Sequence, residues 1–214
     1  MNHERIYQYR FRGVSKVSKV AAWKEISSFI WNRMGRPAVM LDPAAGEGEF
    51  INLAPAAEKW AVDKETPGGG GLAEGIRFIR ADIMQAELPE KFFDGIFISN
   101  FLEHLSSQDE VAAVLEKMYR CTKPGGTIAV MGPNFRYAYR GYFDFADHRT
   151  ILTDVSAAEH LFGAGFEITN IHPRFLPLSF RSGPPAYSIL VKAYLQLPLL
   201  WKIAGQQFLV IAKK

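Results

Sequence analysis

Apolar positions along the chain follow two rhythms, and they alternate. Val17, Val20, Trp23, Ile30 and Met34 fall roughly on one helical stripe, which predicts a helix over 16–34, ended by Gly35 and Pro37. AVMLD (38–42) is a short apolar run with strand character, followed by small residues and then by helical spacing over 49–57. KWAVD (59–63), IRFIRAD (76–82) and FDGIFISN (93–100) read as further strands. Pro67 and the run Gly68–Gly71 mark a loop between the second and third of these. Val111, Val114, Leu115 and Met118 predict an amphipathic helix over 108–121, and PGG (124–126) turns the chain into the strand TIAVMG. Ser156 and Glu159 have capping-box spacing for a short helix that Gly163 or Gly165 ends. FEITNIHP (166–173) and QQFLVIAKK (206–214) are the last strands.

Strands alternating with helices predict an α/β fold, a doubly wound sheet with parallel strands and helices on both faces. No internal repeat or dividing linker interrupts it, so one domain is expected over 1–214. Residues 1–36 would form a helical cover, 37–173 the core and 174–205 an insertion before the last strand. That insertion is long for a connection and rich in Pro, Leu and aromatics, so it is expected to have structure of its own.

Composition narrows the class. With 48% hydrophobic and 22% charged residues the chain is neither disordered nor fibrous. No apolar run reaches spanning length, the charged N-terminus lacks the apolar stretch of a secretion signal, and the single Cys121 excludes an internal disulfide. A cytoplasmic location is expected. The net charge of +3 hides an uneven distribution. Residues 1–36 hold eight bases and two acids, and 172–214 hold six bases and no acid. The middle, 37–171, holds eleven bases and twenty acids, a net −9.

The strongest local signal lies in that acidic middle. LDPAAGEGEF (41–50) is a buried strand, a small-residue turn at Ala44, Ala45, Gly46 and Gly48, and a helix start. In doubly wound sheets such a turn faces a ligand at the carboxyl ends of the strands. Asp63 ends the next strand, where a carboxylate accepts from ribose hydroxyls, and Asp82 ends the third. Asp42, Asp63 and Asp82, with Glu47 and Glu49, predict a negative edge that disfavours a pyrophosphate and favours a cationic nucleoside. The turn also lacks the third glycine of a dinucleotide fingerprint.

These residues, with FDGIFISNFLEHL (93–105), PGGTIAV (124–130) and LFGAGFEI (161–168), resemble the class I S-adenosylmethionine-dependent methyltransferases over about residues 37–170. The usual first glycine of the turn is Ala44 here. The resemblance implies a Rossmann-like seven-stranded sheet, mostly parallel with an antiparallel last strand, and S-adenosyl-L-methionine as cofactor. It implies that Asp42 and the turn through Ala44, Gly46 and Gly48 hold the methionine part. Asp63 would bind the ribose, Asp82 with Ile83 the adenine, and Asn100 and Phe101 would lie by the methyl path. PNFRYAYRGYFDFADHRTILTDVSAAEHL (133–161) and 173–214 resemble a subgroup often encoded with glycan-assembly enzymes, which implies a small-molecule or sugar-containing acceptor, methylated at oxygen.

A hydroxyl acceptor benefits from a base, and His104 is the first candidate, His148 in FADHRT the second. Some relatives hold a divalent metal through E-x-x-E-H and a later His. Here Asn100 stands at the first Glu, leaving Glu103, His104 and His148, and no metal is expected. The aromatics between 135 and 145, with Arg136, Arg140 and Arg149, mark the expected acceptor pocket. The basic ends raise a nucleic-acid methyltransferase as an alternative. SNFL (99–102) stands where a D/N-P-P-Y/F-type sequence would follow the fourth strand, so no nucleic acid is expected. A cofactor-binding module without turnover is the other alternative, and a nicotinamide-dependent enzyme ranks last. Residues 186–203 read as a helix packed on the sheet edge over the acceptor site. Their sharper reading is peripheral contact with an anionic membrane surface carrying a lipid-linked glycan.

Overall fold

The computed structural model describes residues 3–10, 12, 15–66, 71–178 and 188–214. Seven strands form one sheet: β1 (Val39–Asp42), β2 (Glu58–Asp63), β3 (Ile76–Arg80), β4 (Phe93–Ser99), β5 (Thr122–Pro133), β6 (Glu167–His172) and β7 (Gln207–Lys213). Their order is β3-β2-β1-β4-β5-β7-β6. Every neighbouring pair is parallel except those made by β7, which runs antiparallel to both β5 and β6. This is the Rossmann-like sheet that the sequence implies.

Eight α-helices surround the sheet among the described residues: α1 (His3–Arg10), α2 (Lys16–Arg33), α3 (Glu49–Leu53), α4 (Gln108–Cys121), α5 (Phe135–Ala138), α6 (Asp154–Gly163), α7 (Ser188–Gln196) and α8 (Pro198–Ala204). One face of the sheet packs Leu41, Ile96, Ile98 and Val130 against Val111, Leu115 and Met118 of α4 and Leu161 of α6. The other packs Met40, Phe97 and Leu209 against Ile26 and Ile30 of α2, Phe50 of α3, Leu195 of α7 and Trp201 of α8. The helices therefore lie on both faces. No helix among the described residues is long and apolar enough to cross a membrane.

Local chemistry accounts for the element ends, including those that depart from the sequence reading. α4 starts at Ser107, whose hydroxyl accepts from Glu110 N–H, with Asp109 and Glu110 in the first turn. The helix expected over 49–57 stops at Leu53, because Ala54 precedes Pro55 and takes an extended conformation with ψ 128°. The capping box of α6 is Thr153 with Ser156, so Ser156 is the third helical residue rather than the cap. PGG (124–126) lies inside β5, whose pairing with β4 shifts register between Phe93 and Gly95. The single helix expected over 186–203 is a pair: Pro198 starts α8, where its missing N–H has no partner to lose. Residues 68–70 of the glycine run, and 186–187 of the tail, lie outside the described residues.

Candidate active site

The parallel strands all end at one edge, and the turn after β1 is anchored there. Ala45 N–H donates to Val62 C=O at 3.0 Å and Gly48 N–H to Ala45 C=O at 2.8 Å. Gly46 N–H donates to Asp63 Oδ2 at 2.8 Å. Three N–H groups of the turn are thus used within the protein, and α3 behind it has only five residues. A phosphate would find few free donors here, which agrees with the charge argument against a dinucleotide. Gly46 and Gly48 have φ of +53° and +76°, in the left-handed region that favours glycine. A Cβ on Gly48 would meet Leu72 at 2.6 Å, whereas one on Gly46 would meet nothing within 4 Å. The open space at Gly46 leaves room for a ligand against the backbone.

The strand-end carboxylates differ in charge state and partners. Asp42 is 4% exposed, and burial pushes its carboxyl up to about 8. The Ala44 N–H opposes that rise, and the charges of Asp63 and Glu49 add to it. Asp63 accepts from Gly46 N–H on one oxygen and from Glu65 N–H at 3.0 Å on the other, so each oxygen keeps a lone pair for a further donor. Asp82 pairs with Lys64 at 2.7 Å and accepts from Met84 N–H, and that lysine holds its carboxyl below the usual range. Glu49 pairs with Lys19 of α2. The edge is therefore less negative than its sequence suggests: Asp42 is protonated at neutral pH, and two other acids face lysines. Ile83 is buried in the core.

Asp42 yields a stability prediction of definite sign. Its carboxyl titrates near 3.8 in the unfolded chain and near 8 in the folded one. A raised value gives stability that is complete below the lower pH and lost as pH rises through the higher. Relative to Asp42→Asn, which keeps an acceptor for Ala44 N–H, the wild type is expected to lose thermal stability steadily between those two values. Parallel melting curves for the two proteins across that range would refute the assignment.

Beyond β4 the chain bends sharply. Asn100 has φ +49°, a conformation that asparagine tolerates, and its N–H donates to Met131 C=O at 2.9 Å. Phe101 leads into a short 3-10 turn, Leu102–His104. The turn is tied to the 147–150 segment, where Arg149 and Thr150 N–H both donate to Glu103 C=O. His104 Nδ1 lies 3.0 Å from Asp147 C=O, which can only accept. Nδ1 therefore carries a hydrogen, so Nε2 is the nitrogen that holds the lone pair in the neutral imidazole. The Asp147 carboxylate lies 3.7 Å from the same Nδ1 and is held by Arg10 of α1. Glu103 is 1% exposed, and burial raises its carboxyl.

His148 stands beside His104, with ring centroids 5.2 Å apart. It stacks on Phe145 at 4.7 Å and meets Tyr142 edge-on. Burial lowers its imidazole to about 4, so it is neutral at pH 7. Glu103, His104 and His148 bring one carboxylate oxygen and two ring nitrogens within 4.8 Å of one another, a spacing that one cation can span. Of the aromatics expected at the acceptor pocket, Tyr142 belongs to the core, whereas Tyr137, Tyr139 and Phe143 are exposed. A concavity of 300 Å³ between α4 and α6, lined by Glu116 and His160 among others, is separate from this edge.

Fold and edge together are similar to those of the class I S-adenosylmethionine-dependent methyltransferases. Residues 35–130, a little under half of the chain, match the methyltransferase domain family. The ubiquinone/menaquinone biosynthesis C-methyltransferase UbiE of Coxiella burnetii is 32% identical over 98 residues, which are 45% of this chain and 38% of that protein. A tRNA (carboxymethyluridine(34)-5-O)-methyltransferase of Arabidopsis thaliana is 25% identical over 114 residues, 53% of this chain and 28% of that one. The chain thus spans well under half the length of these curated relatives. Among solved structures, an S-adenosylmethionine-dependent methyltransferase of Archaeoglobus fulgidus superposes with a TM-score of 0.65 at 19% identity, covering 100% of both chains. The 1,6-didemethyltoxoflavin-N1-methyltransferase of Burkholderia thailandensis, with S-adenosylhomocysteine bound, gives 0.60 at 20% identity over 90% of this chain and 78% of that one.

Proposed function

We propose that this protein transfers a methyl group from S-adenosylmethionine to a hydroxyl of a small-molecule or glycan-linked acceptor, with His104 as the base. The observation that carries this reading is the orientation of His104 just beyond β4, where Nδ1 lies 3.0 Å from Asp147 C=O, which makes Nε2 the nitrogen available to take a proton. Asp63 offers both oxygens to the ribose, and the turn at Ala44, Gly46 and Gly48 receives the methionine part beside Asp42. Asp82 and the backbone at Ile83 face the adenine, with Asn100 and Phe101 along the methyl path. Bound S-adenosylmethionine supplies an electrophilic methyl on a cationic sulfur.

The chain's own part is positioning and proton removal. With the cofactor bound, transfer to the acceptor oxygen would break the sulfur–methyl bond and leave neutral S-adenosylhomocysteine, while the hydroxyl proton would pass to His104 Nε2. The Asp147 carboxylate beside Nδ1 stabilises the imidazolium, and Arg10 keeps that carboxylate in place. His148 is a second base by position; its value near 4 suits it better to lining the site. Exposed Tyr137, Tyr139 and Phe143 offer flat faces to a sugar, and Arg136, Arg140 and Arg149 offer charge to an acidic one. Glu103, His104 and His148 are read as lining the site rather than as a metal centre, because Asn100 stands where the E-x-x-E-H pattern has its first Glu.

Incubation with methyl-labelled cofactor and a panel of sugars, phenols and lipid-linked glycans tests the proposal. Label is expected on an acceptor oxygen, at a rate that EDTA leaves unchanged. Cofactor binding without turnover on any acceptor would make the protein a binding module. Loss of turnover in EDTA, restored by a divalent ion, would turn the trio into a metal site. Carbon is the second reading for the acceptor atom, favoured by the identity to a C-methyltransferase; nuclear magnetic resonance of the product separates the two.

A further inference from the structure

α7 and α8 are apolar on two sides, and only one of them is covered. Val191, Tyr194, Leu195 and Trp201 turn inward, onto the core shared with α2. On the outside stand Ile189, Leu190, Leu197, Leu199, Leu200 and Ile203, of which Ile189, Leu199 and Ile203 are 76%, 72% and 75% exposed. A helix apolar all round is normally buried, and single exposed aliphatics elsewhere need no explanation. Five large ones on two consecutive helices, with Leu197 between them, make a patch of the kind that marks a docking surface.

Charge decides what docks. The exposed side chains among these aliphatics include Lys192 and Lys202, and residues 172–214 contain no acid. On α2, the helix against which α7 packs, Glu25 is engaged by Ser188 Oγ at 2.6 Å. A second copy of this chain docking through the same face would set lysines against lysines with no acid from the segment between them. An anionic bilayer matches both features, taking the aliphatics into its acyl boundary and the lysines at its headgroups. We propose that the outer face of α7 and α8 docks the protein onto an anionic membrane surface.

The topology places that face beside the candidate active site. β6 ends and β7 begins at the carboxyl edge, so the whole 173–206 connection leaves and returns there. Arg174 fastens the end of α8 to the acceptor segment: its guanidinium donates to Ile203 and Gly205 C=O and lies 4.8 Å over the Tyr137 ring. An acceptor held in the bilayer by a lipid tail would present its polar head at this rim. That consequence rests on the methyl-transfer reading, whereas the docking itself does not.

Sedimentation with vesicles tests the docking without any turnover. The protein is expected to bind vesicles of phosphatidylcholine and phosphatidylglycerol in equal parts, and to bind pure phosphatidylcholine far less. The triple variant Ile189→Ser, Leu199→Ser, Ile203→Ser should lose about tenfold or more in affinity. Lys192→Glu with Lys202→Glu should lose about fivefold per lysine, an effect that added salt erases in the wild type. All five positions are exposed, so unchanged circular dichroism and cofactor binding show that the variants fold. Failure of the wild type to bind mixed vesicles would overturn the proposal and leave methyl transfer standing. So would self-association that the triple variant abolishes, since the face would then join two copies.

Discussion

Asp63→Ala is expected to weaken S-adenosylmethionine binding by about a hundredfold to ten-thousandfold, measured by isothermal titration calorimetry. A hydrogen bond to a charged acceptor is worth about 1.5–3 kcal/mol, and two ribose hydroxyls lose one each. A second loss adds to this. Asp63 Oδ2 also holds Gly46 N–H, so the variant releases the turn that faces the methionine part. Folding should survive, because that N–H is at an exposed position and water replaces the carboxylate. Asp63→Asn keeps an acceptor for one of the two roles and should fall between wild type and alanine. Unchanged affinity in the alanine variant would remove Asp63 from the ribose and, with it, the assignment of this edge as the cofactor site.

Much of the fold was legible because its signals are local. Each of the seven strands carries its own apolar run, and α4 carries its own stripe and cap, so periodicity places them within a few residues. The departures have local causes too. Pro55 shortens α3, and Thr153 rather than Ser156 caps α6, its side chain accepting from Ser156 N–H. Within the expected helical cover of residues 1–36, the bounds of α1 do not follow from the sequence, since HERIYQYR is polar and aromatic without a helical stripe. The pairing of α7 with α8 follows from Pro198, which the sequence shows as an interruption without showing that a second helix resumes behind it.

The site divides along the same line. Asp42, Gly46, Gly48 and Asp63 follow from strand ends and turn spacing, and the structure brings them together. Charge state does not follow, because burial sets it: the sequence counts Asp42 as an anion, and the fold protonates it. Nor do long-range partners. Arg10 reaches Asp147 across 137 positions, and His104 meets the same residue across 43. Asp147 adjoins His148 in the sequence, which is the only trace that could have marked it. The exposure of Tyr139 and Phe143 beside buried Tyr142 was equally hidden, since all three sit in one aromatic run.

The chain of contacts from Arg10 to His104 makes the second large effect specific. His104→Ala is expected to lower kcat by about a hundredfold to ten-thousandfold while cofactor affinity stays within about twofold. The reason is that Nε2 takes a proton only as the new bond forms, so its removal affects the transition state and spares ground-state binding. Asp147→Asn should lower kcat less. It keeps the backbone carbonyl that fixes the His104 tautomer but loses the charge beside Nδ1. His148→Phe preserves the ring that stacks on Phe145 and should leave most of the rate, as expected of a side chain that shapes the pocket. If His148→Phe abolishes turnover and His104→Ala does not, the base is His148, and the low value that burial imposes on it is relieved when the acceptor binds. If His104→Ala lowers cofactor affinity and kcat alike, then His104 holds the 147–150 segment in place and another group removes the proton.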